Sequence, residues 1–315
     1  MDVLCVGQAA WDISLFVDGY PPENSKCEIH TMLECGGGPA ANAAYLLARW
    51  GVPCGIAAAI GADAYGDRIA AEFLAAGANV TLLDRRSANV TPVSVILVNQ
   101  QSGSRTIVNR KALGQDGVLR RLPAAVGYGS PRVLLFDGHE LQASLDAMDL
   151  FPDAKTILDA GSVRSATREL AKKVDYLVCS ERFACQMSGL PHLDSPENQA
   201  RAIASLYAAN GHPVVITQGE RGMLRGTDQR VERWPAFPVE AVDTTAAGDI
   251  FHGAFAYGVV TGLSDDATLQ LAAAAAALSA TARGGRTSIP SLPQALELLR
   301  GASLKSCTIG QACGD

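Results

Sequence analysis

The residues of this chain best suited to chemistry lie in the segment 243–249, Asp-Thr-Thr-Ala-Ala-Gly-Asp, which precedes an apolar helix-like run. The first turn of a helix presents unpaired backbone N–H groups and the positive end of the helix dipole, and both attract anions. We therefore predict that the amides of Ala246, Ala247 and Gly248 hold a phosphoryl group during its transfer. Asp249 would take a proton from the attacking alcohol. Taken alone, these residues also fit an ordinary helix cap followed by a turn glycine.

The same segment resembles the Asp-Thr-x-Gly-Ala-Gly-Asp motif of the ribokinase-like (PfkB) carbohydrate kinases. Ala246 departs from that motif, which has glycine there; the backbone N–H survives, but the added methyl group can narrow the anion site. Motifs in the family's order extend from Asp12 to Pro290. The resemblance implies ATP-dependent phosphorylation of a sugar hydroxyl, expected to be a primary CH₂OH, with Mg²⁺ and, in many members, K⁺.

The chain alternates short β-rich apolar runs with segments of helical length. The strand-like runs span residues 3–6, 56–60, 133–136, 156–158, 176–178 and 214–216. This alternation predicts an α/β fold with a mostly parallel sheet covered by helices on both faces, whose ligands bind at the carboxyl ends of the strands. The resemblance specifies a ribokinase-like three-layer α/β/α domain with a mostly parallel central sheet and adds a small β-sheet lid.

Two segments break this rhythm, because residues 13–33 and 91–110 alternate apolar and polar side chains without a long intervening helix. By resemblance they form the lid, which closes over the sugar and excludes water. An extra edge of the main sheet or a dimer contact is the alternative. The predicted division is an α/β domain of residues 1–11, 34–90 and 112–300, a β lid of residues 12–33 and 91–111, and a C-terminal tail of residues 301–315.

Residues expected to bind the acceptor alcohol lie near the N-terminus. The glycine-rich segment 36–42 resembles the family's Gly-Gly-x-x-x-Asn element, whose glycines flex on sugar binding and whose asparagine contacts hydroxyls. Gly37, Gly38 and Asn42 match those positions. Asp12 follows the first strand, and one carboxylate can accept hydrogen bonds from two neighbouring hydroxyls. A turn or a surface charge is the alternative interpretation of Asp12.

Three further residues are substrate candidates. The chain is closest in pattern to sulfofructose kinases and ketohexokinase-type sugar kinases. Lys26 and Asn109 resemble positions in sulfofructose kinases, and strand alternation allows Asn109 to face the pocket. In sulfofructose kinases an arginine is expected after the strand at 133–136, whereas this chain has His139, a weaker and titratable anion partner. A sulfonate substrate is therefore not favoured. A solvated surface charge explains Lys26 equally well.

The nucleotide is expected beside a Thr-x-Gly-x-x-Gly turn that follows the strand at 214–216. There Thr217, Gly219 and Gly222 suit a phosphate loop, although an ordinary turn fits the same residues. By resemblance, Gly285 lies near the adenine pocket. These four residues are the predicted nucleotide-binding set.

Two carboxylates are candidates for cation binding. The resemblance implies an Asn-x-x-Glu motif that organises Mg²⁺ through water, and Glu181 is the carboxylate that remains of it in this chain. Asp243 is a candidate contributor to a monovalent cation site, again by resemblance.

Composition excludes several classes of protein. At 315 residues and 48% hydrophobic content the chain can bury a large core, which is typical of a globular enzyme. Its net charge of −6 argues against a nucleic-acid partner, and the lack of a Gly-x-Gly-x-x-Gly fingerprint after the first strand argues against an NAD-dependent dehydrogenase.

The chain also carries no targeting signal that we recognise. The eight cysteines lack metal-ligand spacing and are predicted to be reduced thiols; the N-terminus lacks a signal-peptide pattern, and no apolar run is long enough to cross a membrane. We therefore expect a cytoplasmic protein without a membrane partner. Apolar residues on the lid strands make a homodimer the expected assembly.

Two other functions remain open. A nucleoside kinase shares the fold and would need an apolar clamp for the base, for which Trp11, Phe16 and Tyr20 are candidates. A sugar-binding relative that does not phosphorylate is suggested by Ala246 and by the incomplete magnesium motif. ATP turnover against a panel of sugars separates these readings.

Overall fold

The computed structural model describes residues 1–86, 90–102, 104–110, 119, 122, 129–302 and 304–308. Its strands are β1 (Val3–Val6), β2 (Ala10–Val17), β3 (Met32–Gly37), β4 (Cys54–Gly61), β5 (Leu83–Arg86), β6 (Val93–Asn99), β7 (Arg105–Arg110), β8 (Val133–Phe136), β9 (Lys155–Ala160), β10 (Tyr176–Ser180), β11 (Val214–Thr217), β12 (Met223–Gly226), β13 (Val231–Trp234) and β14 (Cys307–Thr308). Its helices are α1 (Pro39–Arg49), α2 (Ala64–Ala76), α3 (Leu141–Leu150), α4 (Ser165–Leu170), α5 (Glu181–Ser188), α6 (Pro196–Asn210), α7 (Ala247–Thr261), α8 (Asp265–Ala280) and α9 (Leu292–Gly301).

The larger sheet has the strand order β14-β13-β12-β11-β10-β9-β8-β1-β4-β5 within the described residues. Strands β5, β4, β1, β8, β9, β10 and β11 are parallel, and β12 to β14 form an antiparallel edge. The central strands β1, β4 and β8 are buried along their whole length, as a sheet covered on both faces requires. All the predicted apolar runs lie in this sheet.

Small residues let helices α1 and α7 approach each other closely. Ala40, Ala41, Ala43 and Ala44 of α1 have no exposed surface. A side-chain carbon at Gly253 of α7 would lie 3.0 Å from the Cα atom of Ala43, so only glycine fits at this crossing without displacement. The close approach brings the N-terminal turns of the two helices together at the carboxyl edge of the sheet.

A second sheet is built from two separate stretches of the chain and has the order β3-β2-β6-β7. β2 pairs antiparallel with β3 and parallel with β6, and β6 pairs antiparallel with β7. Phe16, Ile96 and Val98 form a small core against this sheet. Every residue of β7 is exposed. The pairing of the two distant segments is as expected, while the exact division into domain and lid stays a prediction.

Among the described residues, six cysteines are free thiols: Cys5, Cys27, Cys35, Cys54, Cys179 and Cys185. Cys307 is disulfide-bonded, so the prediction of reduced thiols is wrong for that residue. Within the described part of the chain, none of the helices has both the length and the apolar character needed to cross a membrane.

Candidate active site

The N-terminal turn of α7 carries Asp249, and its carboxylate is held by a residue of α1. The Asn42 Nδ2 group donates a hydrogen bond of 2.7 Å to the Asp249 Oδ2 atom. Asn42 is itself buried, and it lies in the first turn of its helix, where its backbone N–H bonds the Gly38 carbonyl at 2.8 Å. Two predicted site residues that are far apart in sequence are thus in direct contact.

The surroundings of Asp249 favour its protonated form. Although part of its surface remains accessible, protein surrounds the carboxylate, and this burial, followed by the nearby charge of Asp159, raises its pKa to about 7. The hydrogen bond from Asn42 and the proximity of His252 act in the opposite direction, and Asp12 adds a further upward effect. A carboxylate whose pKa lies near neutral pH is well matched to accept a proton from an alcohol.

Asp159 and His252 form a buried pair next to this base. The His252 Nδ1 atom lies 3.3 Å from an oxygen of Asp159 and 2.7 Å from the Gly248 carbonyl oxygen. Its other ring nitrogen lies 3.1 Å from the Val178 carbonyl oxygen. The pair therefore ties the first turn of α7 to strands β9 and β10. Burial also raises the pKa of Asp159, while His252 opposes that shift.

The turn before α7 is held by Asp243 in a conformation that L-residues rarely adopt. Ala246 has a φ angle of 60°, in the left-handed region. Glycine adopts this region freely, which gives a physical reason for the glycine of the family motif, and alanine pays about 1–2 kcal/mol. Asp243, fully buried, accepts hydrogen bonds of 2.9 Å from the backbone N–H groups of Thr245 and Gly284.

The predicted anion site has open space on the side-chain side of Gly248. A side-chain carbon at Gly248 would meet nothing within 4 Å. Gly248 lies in the first turn of α7, where a helix provides no carbonyl four residues earlier for its N–H. The buried Thr245 hydroxyl has no partner within the described residues, which fits an anion bound here. The Ala247 N–H, by contrast, already donates to the Thr244 carbonyl at 3.3 Å.

The predicted sugar-binding residues Asp12, Gly37 and Gly38 lie on β2, at the end of β3 and just before α1. Asp12, on β2, is buried, and burial raises its pKa while a hydrogen bond with Ser94 and the charge of Arg286 lower it. A side chain at Gly37 would overlap the Asp12 carboxylate, so glycine is required there for close approach. Gly38 has a φ angle of 97° and begins α1, so its glycine is needed for backbone conformation.

Comparison with known proteins identifies the family of this chain. Residues 1–292 match the profile of the pfkB family carbohydrate kinases. The chain belongs to the pfkB family of carbohydrate kinases. A ribokinase of Haemophilus influenzae is 28% identical over 273 residues, which cover 84% of this chain and 88% of that protein. A deoxyribokinase of Salmonella typhi is 26% identical over 306 residues, covering 95% and 99%.

A solved structure supports the same assignment. The structure of Arabidopsis thaliana ribokinase complexed with ribose and ATP aligns with a TM-score of 0.80 at 25% identity, covering 95% of this chain and 98% of that one. The predicted ribokinase-like α/β fold, with a large mostly parallel sheet and a small second sheet, is thereby confirmed.

The remaining predicted sugar residues of this pfkB kinase are less closely tied to the base. Asn109 pairs with Ser94, which pairs with Asp12, so all three project from the same face of the second sheet, although Asn109 is exposed. Lys26 is exposed, and no hydrogen bond or ion pair joins it to the described residues of the site. His139 follows β8, and its Nε2 atom lies 2.6 Å from the guanidinium of Arg164.

The nucleoside-clamp candidates have other partners. Trp11 is buried and stacks on Tyr65 at 6.1 Å between ring centroids, with the guanidinium of Arg68 5.5 Å from its ring. Phe16 is buried in the core of the second sheet. Only Tyr20 of the three is exposed. The geometry gives no support to a base clamp from these residues.

The predicted nucleotide residues lie in two turns, in which Gly219 is exposed, Thr217 and Gly222 are half-buried and Gly285 is buried. Thr217 ends β11, and its hydroxyl bonds the Cys179 carbonyl at 3.4 Å. Gly219, with a φ angle of 60°, has open space around it, whereas a side chain at Gly222 would overlap the backbone of β13. Gly222 therefore has a structural role of its own. Gly285 adjoins the anion turn, since a carbon added to it would lie 3.5 Å from the Cβ atom of Ala246.

The two cation candidates already have protein partners. Glu181 begins α5 and pairs with Arg221, and it also accepts a 3.3 Å bond from the Leu193 N–H. Both carboxylate oxygens of Asp243 accept backbone N–H groups, as described above. In the part of the chain that the structure describes, no group of three or more His, Cys, Asp or Glu side chains is arranged to hold a metal ion. A metal role for either residue stays a prediction.

Sequence reasoning did not assign roles to Asp159, His252, Glu72 or Arg286. The available signals were weak: Asp159 lies at the carboxyl end of a strand, and His252 is one helical turn after Gly248. Nothing local in the sequence connects Glu72 on α2 with Arg286, which follows α8, yet these two lie 2.5 Å apart.

Proposed function

We propose that this protein transfers the γ-phosphoryl group of ATP to a hydroxyl of a sugar, with Asp249 as the general base. The observation that carries the proposal is the position of that carboxylate, which lies in the first turn of α7 and accepts a hydrogen bond from Asn42. Its surroundings raise its pKa to about 7. A base of this kind and an anion site share one helical turn, as phosphoryl transfer to an alcohol requires.

The residues divide the chemistry between them. Asp12 and Asn42 orient the sugar, and Asp249 accepts the hydroxyl proton as the oxygen attacks phosphorus. Negative charge on the transferred group meets the N-terminal turn of α7 from Ala246 to Gly248, where the helix dipole and the backbone N–H groups of the first turn favour it. The γ-phosphorus–oxygen bond to ADP breaks as the new bond forms, and ADP and a sugar phosphate leave.

Magnesium is expected as a partner of the nucleotide rather than as a resident ion. It neutralises charge on the phosphates when bound, and its shell is mostly water and phosphate oxygen. The open space at Gly248 and the Thr245 hydroxyl, which has no partner among the residues that the structure describes, fit a phosphate group here. Glu181 is the residue we assign to this shell through water, and Asp243 the residue for a monovalent cation such as K⁺.

The names of the relatives suggest a class of substrate. Those described above are named ribokinase and deoxyribokinase, so a pentose or deoxypentose is the first substrate to try. We further propose a homodimer in the cytoplasm. The edge strand β7 exposes Ile107 and Val108, at 45% and 62% of their surface, which suits contact with a second copy.

The test is a coupled ADP-release assay with ATP, Mg²⁺ and K⁺ against pentoses, hexoses, their anionic derivatives and nucleosides. Asp249→Asn is expected to keep sugar binding and to lower turnover about 100-fold or more, because the proton acceptor is lost. Asp228→Asn, on an exposed turn, is the matched control. The wild-type rate is expected to fall as pH drops below about 7, where Asp249 becomes protonated.

Two results would contradict the proposal. Near-normal turnover in Asp249→Asn would show that Asp249 is not the general base. No turnover with any acceptor, despite thermal stabilisation by a sugar, would favour the binding-only alternative and make Ala246→Gly the next variant.

A further inference from the structure

The orientation of the Asn42 side chain matters to the base. An asparagine amide presents either its NH₂ group or its carbonyl to a neighbour, and only the NH₂ group is attracted to a carboxylate. The Asn42 Nδ2 atom lies 2.7 Å from Asp249, and its Oδ1 atom accepts a 3.2 Å bond from the Arg286 Nε group. Because Asn42 is buried, Arg286 rather than bulk water selects this orientation.

Arg286 is held rigidly enough to make that selection. Its Nη1 atom pairs with Glu72 at 2.5 Å, and its guanidinium lies 5.0 Å from the ring centroid of Tyr45 and 4.5 Å from that of Phe73. The residue is 5% exposed. A planar guanidinium fixed by a carboxylate and two rings presents its Nε–H in one direction only.

The glycine-rich segment leaves the space that this arginine occupies. A side-chain carbon at Gly36 would overlap the guanidinium of Arg286. The Gly36 N–H donates to both oxygens of Glu72, at 3.1 and 2.9 Å. The end of β3, α2, the turn after α8 and α1 therefore converge on one arginine.

The charged and titratable groups around this cluster come from several elements. Glu72, Asp12 and Cys35 face Arg286. Asp159, His252 and Asp12 face Asp249 together with Asn42. Among these neighbours Asn42 is the uncharged one, and it lowers the pKa of Asp249 by donating a hydrogen bond to the carboxylate.

We propose that Arg286 is a positioning residue for the base: it fixes the Asn42 amide with its NH₂ group toward Asp249. This role presupposes the function proposed above, in which Asp249 accepts the proton. Without Arg286 the amide is free to turn, and a carbonyl oxygen facing the carboxylate disfavours its ionised form.

The test compares the pH dependence of kcat in wild type and in Arg286→Met. The variant is expected to move the acid limb of the profile to higher pH by about one unit, the equivalent of one hydrogen bond to the carboxylate. The loss of rate is therefore larger at pH 6.5 than at pH 8.5. A merely structural role would lower the rate equally across the profile.

A second background separates orientation from the direct effect of the arginine charge. In Asn42→Ala, adding Arg286→Met is expected to cause no further shift of the acid limb, because the residue it acts through is gone. A persisting shift would overturn the proposal in favour of direct electrostatics. An unshifted acid limb in Arg286→Met alone would also overturn it.

Two variants guard against a folding defect. Glu72→Gln combined with Arg286→Met removes both charges of the buried pair, and we expect the same shift of the acid limb as in the single variant. Arg68→Gln is the matched control. Arg68 lies on α2, as Glu72 does; it also pairs with a carboxylate, that of Glu34, and lies over the ring of Trp11, but it does not contact Asn42. Its acid limb is expected to stay in place.

A readout without turnover keeps this inference separate from the proposed function. The carboxyl ¹³C signal of Asp249, identified by its absence in aspartate-labelled Asp249→Asn, can be titrated directly. Arg286→Met is expected to raise the pKa measured in this way, even if no acceptor sugar has been found. If that pKa does not change, Arg286 has no positioning role.

Discussion

The base side and the nucleotide side of the site differ in how completely protein surrounds them. On the base side Asp12, Asn42 and Arg286 are buried; Arg286 donates a hydrogen bond to Asn42, and its charge lowers the pKa of Asp12. On the nucleotide side the turn from Gly219 to Arg221 is exposed, and Arg221 is paired with carboxylates at the surface.

The difference follows from what each side must do. Burial and like charge raise the pKa of a carboxylate and so make it a stronger base near neutral pH, and both effects act where protein rather than water surrounds most of the group. Phosphates require accessible backbone amides, and the nucleotide brings its own counter-ion. Substitutions on the base side should therefore affect rate and pH dependence, and those on the nucleotide side the requirement for ATP and Mg²⁺.

The largest effect among the remaining tests is expected at the closest contact of the base side. Gly37→Ala introduces a carbon that overlaps the Asp12 carboxylate. Displacing Asp12 costs about 2 kcal/mol of sugar hydrogen bonding, so kcat/KM for the sugar should fall about 30-fold. The KM for ATP should not change. Gly161→Ala, where an added carbon meets nothing within 4 Å, is the control in steady-state assays.

If Gly37→Ala raises the KM for ATP by the same factor as it lowers kcat/KM for the sugar, the contrast between the base side and the nucleotide side fails. It would mean that the glycine-rich segment supports both sides of the site rather than the base side alone.

Removing the charge of Asp159 should shift the pH profile in the direction opposite to that expected for Arg286→Met. Asp159 raises the pKa of Asp249, so Asp159→Asn should lower it and move the acid limb of the kcat profile to lower pH by about half to one unit. The measurement is kcat between pH 5.5 and 8.5. Asp153→Asn, an exposed residue before the same strand, should leave the limb in place. A shift to higher pH in Asp159→Asn would show that its pairing with His252 matters more than its charge.

The smallest effect is expected on the nucleotide side. Glu181→Gln should raise the Mg²⁺ concentration for half-maximal rate only about three- to fivefold, because most of the ion's shell is water and phosphate. Asp194→Asn removes the other carboxylate bound to Arg221 and is the matched control. If both variants shift the Mg²⁺ dependence equally, Glu181 acts through Arg221 and has no place in the metal shell.

Much of this fold could be read from local patterns. The strands β1 and β8 have the bounds that their apolar runs predicted, and the parallel sheet followed from their alternation with helices. Gly37 and Gly38 were identified by resemblance alone, and their physical reasons differ, one being space for a carboxylate and the other a positive φ angle.

By itself the sequence determined the family, the order of its motifs along the chain and the identity of the candidate base, because these depend on residue type and on spacing within single elements. Only the tertiary structure decided that Asp159, His252 and Arg286 surround Asp249 and Asn42. The contact between Asn42 and Arg286 spans 244 positions, and it depends on helix packing and side-chain direction. His252 lies on the same helix as Asp249, but its contact with the Val178 carbonyl spans 74 positions. A periodic pattern specifies which face of an element is buried, but it does not specify which distant side chain meets that face.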